Sequence, residues 1–411
     1  MNKNASMTQG EKSLPVLPAR HDGCCSCGLC EAVCPRKAIR MRLSEEGFMR
    51  PHVDAALCVG CHACEKACGK KTRMQECFPG FPKCYAAYAT DNKLRYACSS
   101  GGVLSLLAKE VIAQGGVVFG VVMTGTASAK YTMATHQDDL LAMQGSKYIQ
   151  ADTTGVFERL ADVLKTGQTI LFTGLPCYIK SLRARFGYGN ANLLTADIAC
   201  YGIPSQLALK SWIDGMEKER GVPVRRIHFR DKTKGWRSYK MKVEYADSRC
   251  EVVETANWFH ELFLSRLCLN DSCYSCEKDY TTHFSDFTVG DFWGGGFSPE
   301  DEHAGVSSLI CHTERGLSFL EQLGAKIKLT PVTGEDVERG NQGMRSVRQG
   351  VPWQRERVLH ELKDGEIQKV CRRYLFLGSL HRDSLVFCRH RMLLPVLVCR
   401  VLRKLKRMLH S

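Results

Sequence analysis

Two copies of one cysteine pattern constrain this chain more than anything else in it. The first reads Cys24-x2-Cys27-x2-Cys30-x3-Cys34-Pro35, and the second Cys58-x2-Cys61-x2-Cys64-x3-Cys68-Gly69. Three thiolates on one tight loop can cap three irons of a cubane. The fourth, carried beyond the loop, points away to a second cubane. The spacing therefore predicts two 4Fe-4S clusters, one on Cys24, Cys27, Cys30 and Cys68, the other on Cys58, Cys61, Cys64 and Cys34. Zinc knuckles also use Cys-x2-Cys, but zinc needs only four ligands and not a third and fourth cysteine in this rhythm. Disulfides need an oxidising compartment, and the first twenty residues lack the apolar run of a signal peptide.

Between the copies, Ala38 to Asp54 alternates as a hairpin would, with a turn at Glu45-Glu46-Gly47. This layout resembles a bacterial-type two-cluster ferredoxin over residues 21–75. One departure is Gly69, where that pattern has proline.

A chain of 411 residues has room for two or three domains, and 44% hydrophobic residues are ample for a core. Its 22 cysteines, with no export signal, imply a reducing, oxygen-poor cytoplasm. Cysteines without a ligand role, such as Cys77, Cys250, Cys311 and Cys371, are expected to be buried as small apolar residues. The formal charge of +14 is uneven. Residues 381–411 hold eight Lys or Arg against the single acid Asp383, half of the total. Leu393, Val396, Leu397, Val401, Leu402 and Leu405 give that stretch an apolar side, which suits an amphipathic helix at an anionic membrane surface. The competing reading is a terminal helix packed on the body or on a partner protein. A nucleic-acid partner is not expected, because no basic stripe with interleaved aromatics runs through the core. The expected location is the cytoplasm, with 381–411 offering peripheral contact at the inner face of the membrane.

Residues 1–20 read as disordered, 21–75 as the cluster module, 76–83 as a Pro/Gly linker, and 346–411 as a helical basic tail. From Tyr85 helical and strand patterns alternate. A helix is expected over Ser99–Ala113, with strands at 117–123, 169–174 and 192–200 and further helices at 156–164 and 206–219. The fold class is α+β and α/β: a ferredoxin module followed by a mixed-sheet α/β domain.

Downstream, Cys177 follows a strand, Cys200 ends one, and Cys273 and Cys276 form a Cys-x2-Cys knuckle. Strand ends on one edge of an α/β sheet converge, so these four can meet. Gly174-Leu175-Pro176-Cys177, Cys200-Tyr201-Gly202-Ile203-Pro204, Phe229-Arg230-Asp231-Lys232 with Gly235-Trp236, Asp271-Ser272-Cys273-Tyr274-Ser275-Cys276, and Ser285 to Gly294 (SDFTVGDFWG) occur in order. Over residues 84–345 the chain resembles the beta subunit of coenzyme F420 hydrogenase/dehydrogenase. The resemblance implies that Cys177, Cys200, Cys273 and Cys276 hold a third 4Fe-4S cluster beside an FAD. It also implies an FAD site at Ser99-Ser100-Gly101-Gly102 and Gly145-Ser146-Lys147-Tyr148. A helix N-terminus with glycines suits a pyrophosphate on its own physics.

The function so implied is an iron–sulfur flavoprotein oxidoreductase. Its flavin exchanges hydride with coenzyme F420 or another organic substrate, and its clusters serve a ferredoxin or another redox partner protein. The alternatives are a flavin-free polyferredoxin-type carrier, a ferredoxin-dependent reductase in polysaccharide metabolism, and a cluster-based sensor docking on nucleic acid or membrane. No catalytic triad or paired-carboxylate constellation stands out, and no catalytic residue is assigned.

Overall fold

Both cysteine loops turn through left-handed backbone at matching positions, two and four residues after the first cysteine. These are Ser26 (φ 61°) and Gly28 (φ 77°) in the first copy, Gly60 (φ 68°) and His62 (φ 56°) in the second. Serine and histidine meet a steric penalty there, and the wrapped loop that results turns amides onto sulfur. Ser26 N–H donates to Cys24 Sγ (3.4 Å) and Gly60 N–H to Cys58 Sγ (3.5 Å). Each loop leads into one helical turn, Leu29–Ala32 and Ala63–Lys66. Between them β1 (Ile39–Leu43) and β2 (Met49–Val53) form the expected hairpin, with Ile39 opposite Val53.

The computed structural model describes residues 13–17, 23–71, 75–76, 79–276, 282–339, 341 and 350–378. The amphipathic stretch 381–411 and most of the N-terminal twenty residues lie outside them. Residues 13–17 have no regular structure, and Pro15 lies against the second cysteine loop.

The remaining strands are β3 (Gln75–Glu76), β4 (Lys83–Ala89), β5 (Val117–Gly125), β6 (Ser128–Ala134) and β7 (Ala151–Asp152). After these come β8 (Ile170–Gly174), β9 (Leu193–Ile198), β10 (Val224–Asp231), β11 (Lys240–Tyr245) and β12 (Cys250–Val253). β13 (Thr282–His283), β14 (Phe287–Asp291), β15 (Ser307–Cys311) and β16 (Ile327–Pro331) complete the set. Nine strands form one mixed sheet in the order β16-β4-β15-β14-β9-β8-β5-β6-β7. Its middle, β14, β9, β8 and β5, is parallel. β10, β11 and β12 make a separate antiparallel sheet. The expected linker 76–83 is thus bounded by strand residues: β3 pairs with β13, and β4 joins the large sheet.

The sheet is covered on both faces, as parallel strands require. Ile170 and Phe172 of β8 point into one core, and Leu171 between them into the other. The expected helix at 99–113 begins only at Val103, because Ser99–Gly102 turn irregularly and Gly102 is left-handed (φ 81°). Helices Arg355–Asp364 and Ile367–Gly378, expected within a tail, instead bury Val358, Leu359, Leu362, Ile367 and Val370 in the main core.

The cysteine module is fastened to the body by buried polar contacts. Arg355, 1% exposed, donates from Nε to Leu269 O (2.8 Å). The same guanidinium ion-pairs with Asp271 (2.9 Å) in the body and Glu46 (3.3 Å) in the module. Arg50 donates to Cys24 O and to Ser26 Oγ, and Asn270 Nδ2 also donates to Ser26 Oγ. Gly69 is explained by this docking. A Cβ there would stand 2.5 Å from Ser181 Oγ and 2.8 Å from Ser181 Cα, so proline has no room.

Candidate functional site

The structure brings the two cysteine sets of the sequence reading to a single cavity. Cys24, Cys27, Cys30 and Cys68 line one side, and Cys177, Cys200, Cys273 and Cys276 the other, in a space of about 490 Å³. Cys34, Cys58, Cys61 and Cys64 line a separate, smaller cavity. Cys61 there is exposed to solvent.

Local structure explains each position. Cys177 sits in the first turn of helix Pro176–Phe186, just after β8, and Cys200 stands just after β9. β8 and β9 are adjacent and parallel, so their C-terminal ends meet at one edge. Cys273 ends the short 3-10 turn Asp271–Cys273, whose Asn270 side chain accepts from Ser272 N–H. The Cys273 sulfur accepts from Ile203 N–H at 3.3 Å.

The donor set fits iron–sulfur clusters. The described cysteines are all free thiols. Burial raises the thiol pKa values of Cys24 and Cys30, and neighbouring sulfurs, including Cys68 for both, raise them further. Such thiols become thiolates only against a cationic centre, which metal ligation supplies. Among the described residues no three His, Cys, Asp or Glu side chains converge as one metal ion would need. The sulfurs instead ring a volume. Lys70, Lys180 and Arg266 border it, placing positive charge where a cluster is anionic.

A third cavity, about 340 Å³, lies at the C-terminal ends of β8, β9 and β14. Ser99, Ser100, Gly102 and the loop Gly145–Tyr148 all line it. The two loops are joined, since Ser146 N–H donates to Ser99 Oγ (2.8 Å). Gly101 faces away from the cavity. Its N–H donates to Ser307 Oγ, and a Cβ would stand 2.5 Å from Ala87 O, so this glycine serves strand packing. The Lys147 ammonium is occupied by Met143 O (2.7 Å), Gln144 O (3.0 Å) and Gly145 O (3.1 Å). Burial pulls its pKa down to about 8. Lys147 therefore shapes its loop with the same charge it lends to the cavity.

Sequence reasoning gave no role to Arg230 and Asp291, although both lie inside the quoted motifs. Arg230 forms a two-point pair with Asp291 (2.8 and 3.1 Å) under the Tyr239 ring, and Trp236 Nε1 donates to the same carboxylate. Arg230 borders the cavity, and its Nε is buried with no hydrogen-bond partner among the described residues. An orphaned donor beside small-residue loops fits a flavin, which presents ring nitrogens, carbonyls and phosphates. Of the cysteines expected to be buried, Cys311 and Cys371 are, Cys250 is exposed on β12, and Cys77 lies outside the described residues.

The cavities lie back to back. Ala199 lines the third cavity while Cys200 lines the shared one, and Cys177 and Tyr178 divide in the same way.

Comparison with known proteins gives this arrangement its class. Residues 84–158 match the N-terminal part, and residues 167–335 the C-terminal part, of the coenzyme F420 hydrogenase/dehydrogenase beta subunit. Residues 23–72 match the 4Fe-4S dicluster domain. The chain belongs to the family of coenzyme F420 hydrogenase/dehydrogenase beta subunits, whose members are oxidoreductases, and carries an added 4Fe-4S domain. It is 22% identical over 325 residues to one of the subunits of the F(420)H(2) dehydrogenase of Methanosarcina mazei, covering 75% of this chain and 85% of that protein. It is also similar to a chain in a xenon-derivative structure of the F420-reducing NiFe hydrogenase complex of Methanosarcina barkeri. That match has 17% identity and a TM-score of 0.46, covering 74% of this chain and 94% of that one. Among the described residues no helix is long and apolar enough to cross a membrane.

Proposed function

We propose that this protein passes electrons between an organic hydride carrier, coenzyme F420 by family, and a redox partner protein, using an FAD and three 4Fe-4S clusters. The observation that carries the reading is the sharing of one cavity by Cys24, Cys27, Cys30 and Cys68 with Cys177, Cys200, Cys273 and Cys276, directly behind the small-residue cavity. A bound flavin supplies the exchange between hydride and single electrons, which clusters alone do not perform.

The chain's own residues do the rest. Ser99, Ser100, Gly102 and Gly145–Tyr148 wall the flavin cavity, and Arg230, steadied by Asp291, offers it a donor. Cys177, Cys200, Cys273 and Cys276 hold the cluster behind it. Arg355 and Arg50 keep the next four thiols, Cys24, Cys27, Cys30 and Cys68, against that set. Cys34, Cys58, Cys61 and Cys64 end the path at the surface, where exposed Cys61 meets the partner. The stretch 381–411 suits docking on an anionic membrane, and liposome flotation with and without it tests that role.

Anaerobically purified protein is expected to hold about twelve irons and one flavin. Cys273→Ser removes about four irons and spares about eight. A wild-type count of about eight irons without flavin leaves a ferredoxin fusion and overturns the proposal. Loss of the visible absorbance of oxidised F420 as it is reduced, or its return as reduced F420 is oxidised, under single turnover tests the substrate.

A further inference from the structure

Residues 13–17 precede the first cysteine loop in sequence, yet they reach both cysteine-lined cavities of the module. Pro15 lines the smaller cavity with Cys34, Cys58, Cys61 and Cys64. Leu17, two residues on, lines the shared cavity with Cys24, Cys27, Cys30 and Cys68. Leu14 and Val16 between and before them are 45% and 82% exposed, whereas Pro15 and Leu17 are half-buried. Alternation of this kind describes an extended segment with one face laid on a surface. The segment is held by its backbone. Val16 N–H donates to the carboxylate of Glu65, on the helical turn that carries Cys64. The same carboxylate meets His62 Nδ1 at 2.9 Å, so Glu65 ties the segment to the second cysteine loop. Ser13 O lies over Gly60 of that loop, where a Cβ would stand 3.0 Å from it.

We propose that residues 13–17 form an apolar strap that covers both cluster sites of the cysteine module and limits the access of water and small solutes to them. The proposal rests on the assignment of the eight thiols from Cys24 to Cys68 to two clusters, and not on the flavin or the third cluster. The apolar shell around a metal site controls solvent access and the local dielectric, and solvent exposure is one of the levers on a cluster's potential. The two inward residues suit that task. Leucine carries no polar side-chain atom, and proline has no backbone N–H that would need a partner on the covered face. The strap's one anchoring donor, Val16 N–H, comes from the residue between them and leaves both side chains on the cavities. Gly60 contributes twice, since its left-handed turn (φ 68°) shapes the loop and its bare Cα seats Ser13 O.

The test compares full-length wild type, the inward pair Pro15→Gly/Leu17→Gly, the outward pair Leu14→Ser/Val16→Ser, and Val16→Pro. Each is purified anaerobically and its iron counted. Iron release to bathophenanthroline disulfonate is then timed under argon, and loss of cluster absorbance is timed in air-saturated buffer. The inward pair is expected to release its iron about tenfold faster than wild type, and the outward pair at the wild-type rate. Wild-type rates in the inward pair overturn the proposal. Equal acceleration in the outward pair also overturns it, because any change in the segment would then suffice. Val16→Pro keeps both inward side chains and deletes only the N–H that Glu65 accepts. It should also release iron faster, and it decides the matter if the inward pair is purified short of iron: a wild-type rate in Val16→Pro then overturns the proposal. Failure of the cluster assignment is distinct, because it appears as about four irons or fewer in untreated wild type.

Discussion

Arg355→Ala tests whether the cysteine module is locked to the body as the geometry indicates. The Arg355 side chain is 1% exposed, and its partners Asp271 and Glu46 are 5% and 14% exposed. Removing the guanidinium leaves two carboxylates nearly dry with no countercharge from it, and it also strips Leu269 O of a donor. Breaking a buried ion pair from one side costs about 3–5 kcal/mol. For a chain of this size, whose unfolding entropy is about 0.9 kcal/mol/K, that lowers the thermal midpoint by about 3–6 °C. The assay is anaerobic thermal unfolding, followed in parallel by circular dichroism and by the visible absorbance of the clusters. Leu269 to Asp271 lead directly into Cys273, and Glu46 sits in the hairpin of the module, so cluster absorbance should fall before secondary structure does. Asp271 keeps Arg50 at 3.7 Å, yet adding Asp271→Asn to Arg355→Ala removes the carboxylate that has lost its closer partner and should return about 1 kcal/mol or more as non-additive coupling. A midpoint within ~2 °C of wild type, or strictly additive variants, refutes the argument.

Gly69→Ala places a methyl group 2.8 Å from Ser181 Cα. It is expected to destabilise by about 1–3 kcal/mol, read as a lower midpoint in thermal unfolding, and an unchanged midpoint would contradict the packing argument. His283 and His312 stack at 5.0 Å, and burial pulls their pKa values down to about 4 and about 3. The unfolded chain therefore takes up protons first on acidification. Stability from this pair is complete above about pH 6.5 and is lost as pH falls towards 4. His312→Gln should flatten that loss by about 2 kcal/mol between pH 6.5 and 5, and denaturant midpoints at the two values measure it; equal pH slopes would contradict the assignment.

Much of the fold is legible locally. The strands at 117–123 and 169–174 are continuous apolar runs, which is what burial on both faces of a parallel sheet asks of a sequence. The start of the helix after Ser99 is less legible, because it turns on the left-handed backbone of Gly102, which the apolar period does not report. Helices Arg355–Asp364 and Ile367–Gly378 read as tail because their neighbour in sequence, 381–411, carries most of the local charge. Their apolar stripes (Val358, Leu359 and Leu362, then Ile367 and Val370) were the overlooked signal of a buried face.

By itself the sequence determined what lies within a few residues of chain. The rhythm of Cys24 to Cys34 and of Cys58 to Cys68 dictates wrapped loops, because a peptide of that length can place its sulfurs around a cubane in few ways. The family motifs likewise marked the positions of Cys177, Cys200, Cys273 and Cys276. Tertiary structure alone decided that these four share a cavity with the N-terminal thiols. That depends on β8 and β9 being parallel neighbours, on a glycine thin enough to approach Ser181, and on Arg355 joining Glu46 to Asp271. The approach of Gly69 to Ser181 and of Glu46 to Arg355 links residues more than a hundred positions apart. No local pattern encodes such a separation, because only the packed chain brings those groups within reach.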